Sequence, residues 1–215
     1  MRLLDLCCGA GGAGKGYADA GWEVEGVDIV AQPDYPYPFH LADGLEYLSE
    51  HWSEFDAVHG SPPCQASSTL SKGTNGNRYG HLDLVPAYRA AFKALPIPTI
   101  VENVKSAYLR PDLTLCGAMF GLKTYRHRYF ELSFAVQNPP HPRHDGRTSG
   151  WRHGRLVKGS MVAVYGHGGY KGTKSEWQEV METPWITKKR AIAQAIPPKY
   201  TQFIGSQLKN ALERA

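Results

Sequence analysis

An α/β fold around one open sheet is predicted by three observations. The chain starts as strand, glycine-rich turn, helix and strand, with an acid closing the second strand. Two later apolar runs, Phe55–Gly60 and Ile97–Val101, each end in a compact polar cluster, Ser61-Pro62-Pro63-Cys64-Gln65 and Glu102-Asn103-Val104. Segments of helical spacing lie between the strands. A chain of 215 residues with 42% hydrophobic content supports one sizeable core and a small appended lobe.

Arg2–Leu6 is the first predicted strand and runs into Cys7-Cys8-Gly9-Ala10-Gly11-Gly12-Ala13-Gly14. A helix through Tyr17 and Ala20 follows, then a strand over Val24–Ile29 with Asp28 near its end. Such a unit holds a nucleoside: glycines let the backbone approach it, and the carboxylate takes the ribose hydroxyls. Gly9, Gly11 and Gly14 also satisfy GxGxxG, and Gly9–Lys15 satisfies most of a P-loop, with Gly16 where Ser or Thr would hold magnesium. On the residues alone, a dinucleotide, a nucleotide phosphate and an unliganded tight turn stay open.

Asp43-Gly44 opens a predicted helix that runs to about Trp52. After the strand Phe55–Gly60, two consecutive prolines fix φ and remove two donors, so the chain leaves regular structure. The stiff turn presents the Cys64 thiol at a strand's carboxyl end, where open α/β sheets bind ligands; a buried structural cysteine is the other reading. Gln65–His81 is rich in Ser, Thr, Gly and Asn and is expected to be a loop able to close over a substrate. Asp83–Leu95 has helical spacing and ends at Pro96. The strand Ile97–Val101 delivers Glu102 and Asn103 to the edge expected for Cys64. Thr124–Phe134 alternates like strands, so period two places Arg126 and Arg128 on one face.

Pro139–Thr187 is rich in proline and glycine, with a strand expected at Met161–Tyr165. Between Pro139 and Ser175 seven Lys and Arg stand against Asp145 alone, an excess larger than the +4 of the whole chain, and His141, His144, His153 and His167 lie among them. The segment is a phosphate-binding surface or a solvated basic loop. Lys188–Ala195 is a short predicted helix, and Tyr200–Leu212 the last one. The four cysteines, Cys7, Cys8, Cys64 and Cys116, lack CxxC spacing, so reduced thiols are expected, with no disulfide frame and no metal site. Asp5 interrupts the first apolar residues and no run approaches the ~18 residues of a membrane span, so a cytoplasmic protein is expected.

Taken in order, these elements resemble DNA (cytosine-5)-methyltransferases. Asp5-Leu6-Cys7-Cys8-Gly9-Ala10-Gly11-Gly12 looks like the family's motif for S-adenosyl-L-methionine. Asp28, followed by Ile29, stands where the ribose-binding acid is expected, and Asp43-Gly44 resembles the site that contacts the adenine amino group. Pro62-Pro63-Cys64-Gln65 and Glu102-Asn103-Val104 look like the two catalytic motifs, Arg126-His127-Arg128 resembles the paired-arginine motif, and Ile204-Gly205-Ser206-Gln207-Leu208 resembles the C-terminal one. Cys7, Thr124 and Ser206 stand where the family usually has an aromatic residue, a glutamine and an asparagine.

The resemblance implies a Rossmann-like, S-adenosylmethionine-dependent methyltransferase sheet formed by 1–132 and 187–215, with 133–186 as a small basic target-recognition insert. It implies that Cys64, Glu102, Arg126 and Arg128 are catalytic, with Cys64 adding to carbon 6 of cytosine and Glu102 protonating ring N3. Asp5, Cys7, Cys8, Gly9, Ala10, Gly11, Gly12, Asp28, Ile29, Asp43, Gly44, Pro62 and Ser206 are the expected cofactor contacts. Ser61, Pro63, Gln65 and Asn103 are expected at the substrate. DNA is the expected partner of a monomer, its target cytosine turned out of the duplex. The alternatives are the same chemistry on RNA or free pyrimidine nucleotides, and a DNA-binding module without catalysis.

Overall fold

The computed structural model describes residues 1–63, 83–105, 108–153, 155–166 and 172–214. Seven strands form one sheet: β1 (Arg2–Leu6), β2 (Glu23–Asp28), β3 (Phe39–Leu41), β4 (Ala57–Gly60), β5 (Thr99–Asn103), β6 (Leu113–Leu115) and β7 (Arg128–Leu132). Their order is β3-β2-β1-β4-β5-β7-β6. The first five strands are parallel, and β7 runs antiparallel to both β5 and β6. The order reverses between β1 and β4, so the carboxyl ends of these two strands open the crevice at which α/β sheets of this kind bind ligands.

β1 is central because both its faces are apolar. Leu3 packs into the cluster that holds Tyr17, Tyr200 and Ile204, while Leu4 and Leu6 face Val58, Tyr88 and Phe92. Helices α1 (Gly12–Asp19) and α6 (Pro198–Leu212) cover the first face, and α2 (Gly44–His51) and α3 (Val85–Lys93) the second. Asp5, between Leu4 and Leu6, turns to the α1 face and is wholly buried. Burial, with the Asp28 charge next, pushes its carboxyl up to about 8.

The expected strand–helix order holds, with informative differences. Glu102 and Asn103 lie inside β5, not after it. Residues 124–127 are not strand, since β7 begins at Arg128. Met161–Tyr165 is not a strand either; Met161 makes only an isolated bridge to Thr148. The short strands β3 and β6 and the hairpin of β8 (Gly150–Arg152) with β9 (Arg155–Val157) were not anticipated. Nor was α4 (Lys174–Met181), although its start is written locally: Thr173 Oγ1 accepts the Glu176 N–H at 3.1 Å, and Glu176 accepts the Thr173 N–H at 2.6 Å. Trp177, Val180 and Met181 of α4 join Ile192 of α5 (Lys189–Gln194), Ile186 and Ala10 in a third core cluster. The stretch from α4 onward therefore packs with the glycine-rich turn. No described helix is long and apolar enough to cross a membrane.

α1 and α6 touch backbone to backbone. A Cβ on Gly16 would lie 2.0 Å from the Pro198 carbonyl oxygen and 2.1 Å from Thr201 Oγ1, and Thr201 Oγ1 donates to the Ala13 carbonyl at 2.8 Å. Gly16→Ala therefore forces two helices apart in a closed core. It is expected to cost about 3 kcal/mol or more and to lower Tm by roughly 6–12 °C, read by calorimetry.

Candidate active site

The site is assembled from strand ends. β5 and β7 pair with Glu102 opposite Phe130, so Arg128, two residues before Phe130, is Glu102's diagonal neighbour on the same face. Arg128 Nε stands 2.9 Å from Glu102 Oε1. The approach is that of an ion pair without an aligned hydrogen bond to that oxygen. Glu102 is only 5% exposed. Burial raises its pKa, and the Arg128 charge, a Ser61 hydrogen bond and Arg126 partly offset that rise. The result is a carboxyl inclined to keep a proton, beside a guanidinium that can hold an oxygen of a bound molecule.

Behind Glu102 runs a buried relay invisible in the sequence motifs. Tyr17 Oη lies 2.9 Å from His59 Nδ1, and His59 Nε2 lies 2.8 Å from Ser61 Oγ, which reaches Glu102 in turn. Burial lowers the His59 pKa to about 3, so the imidazole is neutral. A neutral ring bonded at both nitrogens passes a defined polarity from one end to the other. Ser61, expected at the substrate, thus supports Glu102. The period-two position of His59 within β4 looks like any core residue; only its two partners reveal its role.

Asn103 Nδ2 donates to the Pro62 carbonyl at 2.9 Å, tying the proline turn to β5. Pro62 is buried and Pro63 exposed. Cys64, Gln65 and the loop expected to close over a substrate lie outside the described residues. Cys7 and Cys8 are described. Burial first, with the Tyr88 hydrogen bond opposing it, takes the Cys7 thiol up to about 12, and burial takes Cys8 higher still. Neither is a nucleophile at neutral pH.

Arg126 lies just before β7 and, like that of Arg128, its charge opposes the rise at Glu102. It is buried and donates to the carbonyls of Ala195 at 3.0 Å, Val164 at 2.6 Å and Ala193 at 2.5 Å. Three acceptors on remote segments make it a tie between the insert, α5 and the sheet, contrary to the expectation of two guanidiniums on one strand face.

At the other half of the crevice, Gly9 and Gly11 take left-handed φ of +50° and +81°. Asp28 is fixed there by the Gly9 N–H and the Val30 N–H, both at 3.0 Å. Nothing lies within 4 Å of where a Gly9 Cβ would be, and beside it Ile29 is 72% and Val30 61% exposed. Asp43 caps α2 by accepting from Leu45 N at 2.8 Å and Glu46 N at 3.1 Å. Gly44 is buried under Tyr88. Trp185 Nε1, absent from the sequence motifs, donates to the Ala10 carbonyl at 2.9 Å. Ser206 is not brought here: it is exposed, next to Gly205, which packs on Tyr17, Ala20 and Trp22 at the opposite end of α1. The segment that does meet the turn is Ile196, whose carbonyl oxygen would lie 2.3 Å from a Gly12 Cβ. A separate cleft of about 640 Å³ lies between α1, α4 and α6 and has Trp185 alone in common with the residues named at this edge.

No family model matches the chain. Among curated proteins, it is 25% identical to the Type II methyltransferase M.AgeI of Thalassovita gelatinovora, over 70% of this chain and 44% of that protein. It is 31% identical to the Type II methyltransferase M.HgiGI of Herpetosiphon aurantiacus, over 51% of this chain and 94% of that protein. The chain spans about half the length of the first curated relatives it matches. Among solved structures, the Dnmt2 methyltransferase of S. pombe aligns with TM-score 0.61, 15% identity and 99% coverage of both chains. A DNMT2 variant of Spodoptera frugiperda aligns with TM-score 0.62, 11% identity and coverage of 97% and 99%. These two likenesses describe the fold.

Cys8 is buried, Cys7 is partly so, and both thiols are held protonated, which has a direct consequence. Native protein treated with iodoacetamide at neutral pH is expected to leave Cys7 and Cys8 unmodified, with both alkylated only after denaturation. Peptide mass spectrometry of the native sample decides it, and rapid labelling of either residue contradicts the placement.

Proposed function

The chain belongs to the Type II methyltransferases, whose cofactor is S-adenosyl-L-methionine, and from that premise we propose that it methylates carbon 5 of cytosine in DNA through a covalent Cys64 adduct. The observation that carries the reading is the buried Glu102–Arg128 pair at 2.9 Å, placed by β5 and β7 beside the bond from Asn103 to Pro62, two residues before Cys64 in the chain.

The cofactor would lie against the glycine-rich turn. The open space over Gly9, the anchored Asp28 carboxylate and the exposed Ile29 and Val30 fit a ribose with a flat apolar base, and Asp43 offers an acceptor at the start of α2. When bound, the cofactor supplies an electrophilic methyl group on sulfur.

Carbon 5 of cytosine is a weak nucleophile, and the protein's task is to make it a strong one. The Cys64 thiolate adds its electron pair to carbon 6, and the ring electrons move toward N3. Glu102 donates its proton to N3 and becomes a carboxylate facing Arg128, which also holds the ring's carbonyl oxygen. The enamine so formed makes carbon 5 the nucleophile that would accept the methyl group. Loss of the carbon 5 proton to a base then expels the Cys64 thiolate, the N3 proton returns to Glu102, and the aromatic ring is restored. The Tyr17–His59–Ser61 relay holds Glu102 in register and tolerates its change of charge. The basic residues of the insert, among them Arg143, Arg147, Arg155 and Lys158, suit contact with phosphates.

A DNA duplex carrying 5-fluorocytosine separates this reading from its rivals, because fluorine cannot leave as a cation and the adduct persists. Incubation with S-adenosyl-L-methionine is expected to give a denaturation-resistant protein–DNA complex. Cys64→Ser abolishes it, and Glu102→Gln slows its formation by about 10²–10⁴-fold. Trapping on fluorinated RNA but not DNA transfers the chemistry to RNA. Methylation of an exocyclic amino group without any adduct overturns the covalent mechanism.

A further inference from the structure

Four side chains that the proposed reaction does not use converge at the outer end of the antiparallel strand pair. Cys116 follows β6, His127 immediately precedes β7, and His141 and His144 come from the irregular segment after β7. One ligand atom from each lies within 4.8 Å of the others. His127 Nε2 and His141 Nε2 are 3.2 Å apart, and Cys116 Sγ is 3.3 Å from His144 Nε2. A tetrahedron with zinc–nitrogen and zinc–sulfur bonds of ordinary length has edges of roughly 3.3–3.7 Å, so two edges are already close to that size.

The surroundings match those of a bound ion. The Cys116 sulfur accepts the Met119 N–H at the start of the 3-10 turn Gly117–Phe120, a contact that steadies a thiolate. His127, with Nε2 turned to His141, donates to the Tyr125 carbonyl, the outer hydrogen bond that orients a ligating imidazole. The Tyr125 ring stacks on His144 at 3.9 Å, and its hydroxyl holds both the N–H and the carbonyl of Gly146. Cys116 is buried while His141 and His144 are exposed, so an ion can enter from the solvent side and close against the sheet.

We propose that Cys116, His127, His141 and His144 bind one zinc-class divalent ion. One thiolate and three imidazoles are a borderline-soft tetrahedral donor set of the zinc type. With all four positions taken by protein, the ion has no open site for a reacting water and acts as a staple. It clamps the segment around 141–144, the start of the basic insert, to the root of β7, one residue from Arg128. This departs from the expectation of no metal, which rested on missing CxxC spacing; here the ligands follow C-x10-H-x13-H-x2-H and meet only in the fold.

The test uses the full chain, stripped with a chelator under reducing conditions and then titrated with Zn²⁺ or Co²⁺. One ion per chain is expected. The cobalt form should show the intense visible bands of a tetrahedral site and a thiolate-to-cobalt charge-transfer band that Cys116→Ser removes. His141→Ala and His144→Ala, both at exposed positions, should each weaken binding by more than about tenfold, since loss of even an outer hydrogen bond costs that much. His51→Ala, at a histidine elsewhere, should leave it unchanged. Far-UV circular dichroism shows that the variants are folded. Absence of stoichiometric binding, binding indifferent to His141→Ala and His144→Ala, or a cobalt spectrum without the thiolate band overturns the proposal.

Discussion

A carboxyl buried beside a guanidinium is the constraint on which the rest of this site depends. Glu102 and Arg128 are nearly excluded from water, and desolvation works against the charged form of the acid. Such a pair is a poor source of stability, because the cost of removing two charges from water rivals their attraction. It persists because the sheet leaves the two side chains no alternative. β7 enters antiparallel between β5 and β6, and the register that sets Phe130 opposite Glu102 delivers Arg128 to the diagonal position. A parallel strand there would point the guanidinium to the other end of the sheet.

The packing behind the pair supports it. His59 is held neutral by burial and bonded at both ring nitrogens, so Glu102 rests on a polar column through the sheet that carries no net charge. A second charge there would have bound the acid permanently in one state. Asn103, the next residue along β5, holds the Pro62 carbonyl and so couples the position of the proline turn to the same strand. One short strand thereby sets both the acid and the proline turn.

The crevice is closed from its other side by elements far along the chain. The cluster of Trp177, Met181, Ile186 and Ile192 packs against Ala10, Trp185 hydrogen-bonds the Ala10 carbonyl, and Arg126 ties Val164, Ala193 and Ala195 to the sheet. The glycine-rich turn is therefore buttressed by the C-terminal third of the chain. The Cys–His cluster draws on the same region: its side chains come from the end of β6, the residue before β7 and the segment after it.

Local chemistry makes much of this protein legible in its sequence. Glycines with left-handed φ, an acid at the end of β2, paired prolines before a cysteine and Glu-Asn at the end of β5 each owe their form to neighbours a few residues away, so a linear reading finds them. The capping box of α4 is equally local, although the surrounding composition is that of irregular chain. What the sequence could not disclose depends on contacts between distant segments. The carbonyls that claim Arg126, the placement of Ser206 at the wrong end of α1, the column through His59 and the meeting of Cys116 with three histidines are all set by strand order and helix packing. Residue type says what a side chain is able to do; only the tertiary structure chooses its partners, because burial and distance decide which of those abilities is used.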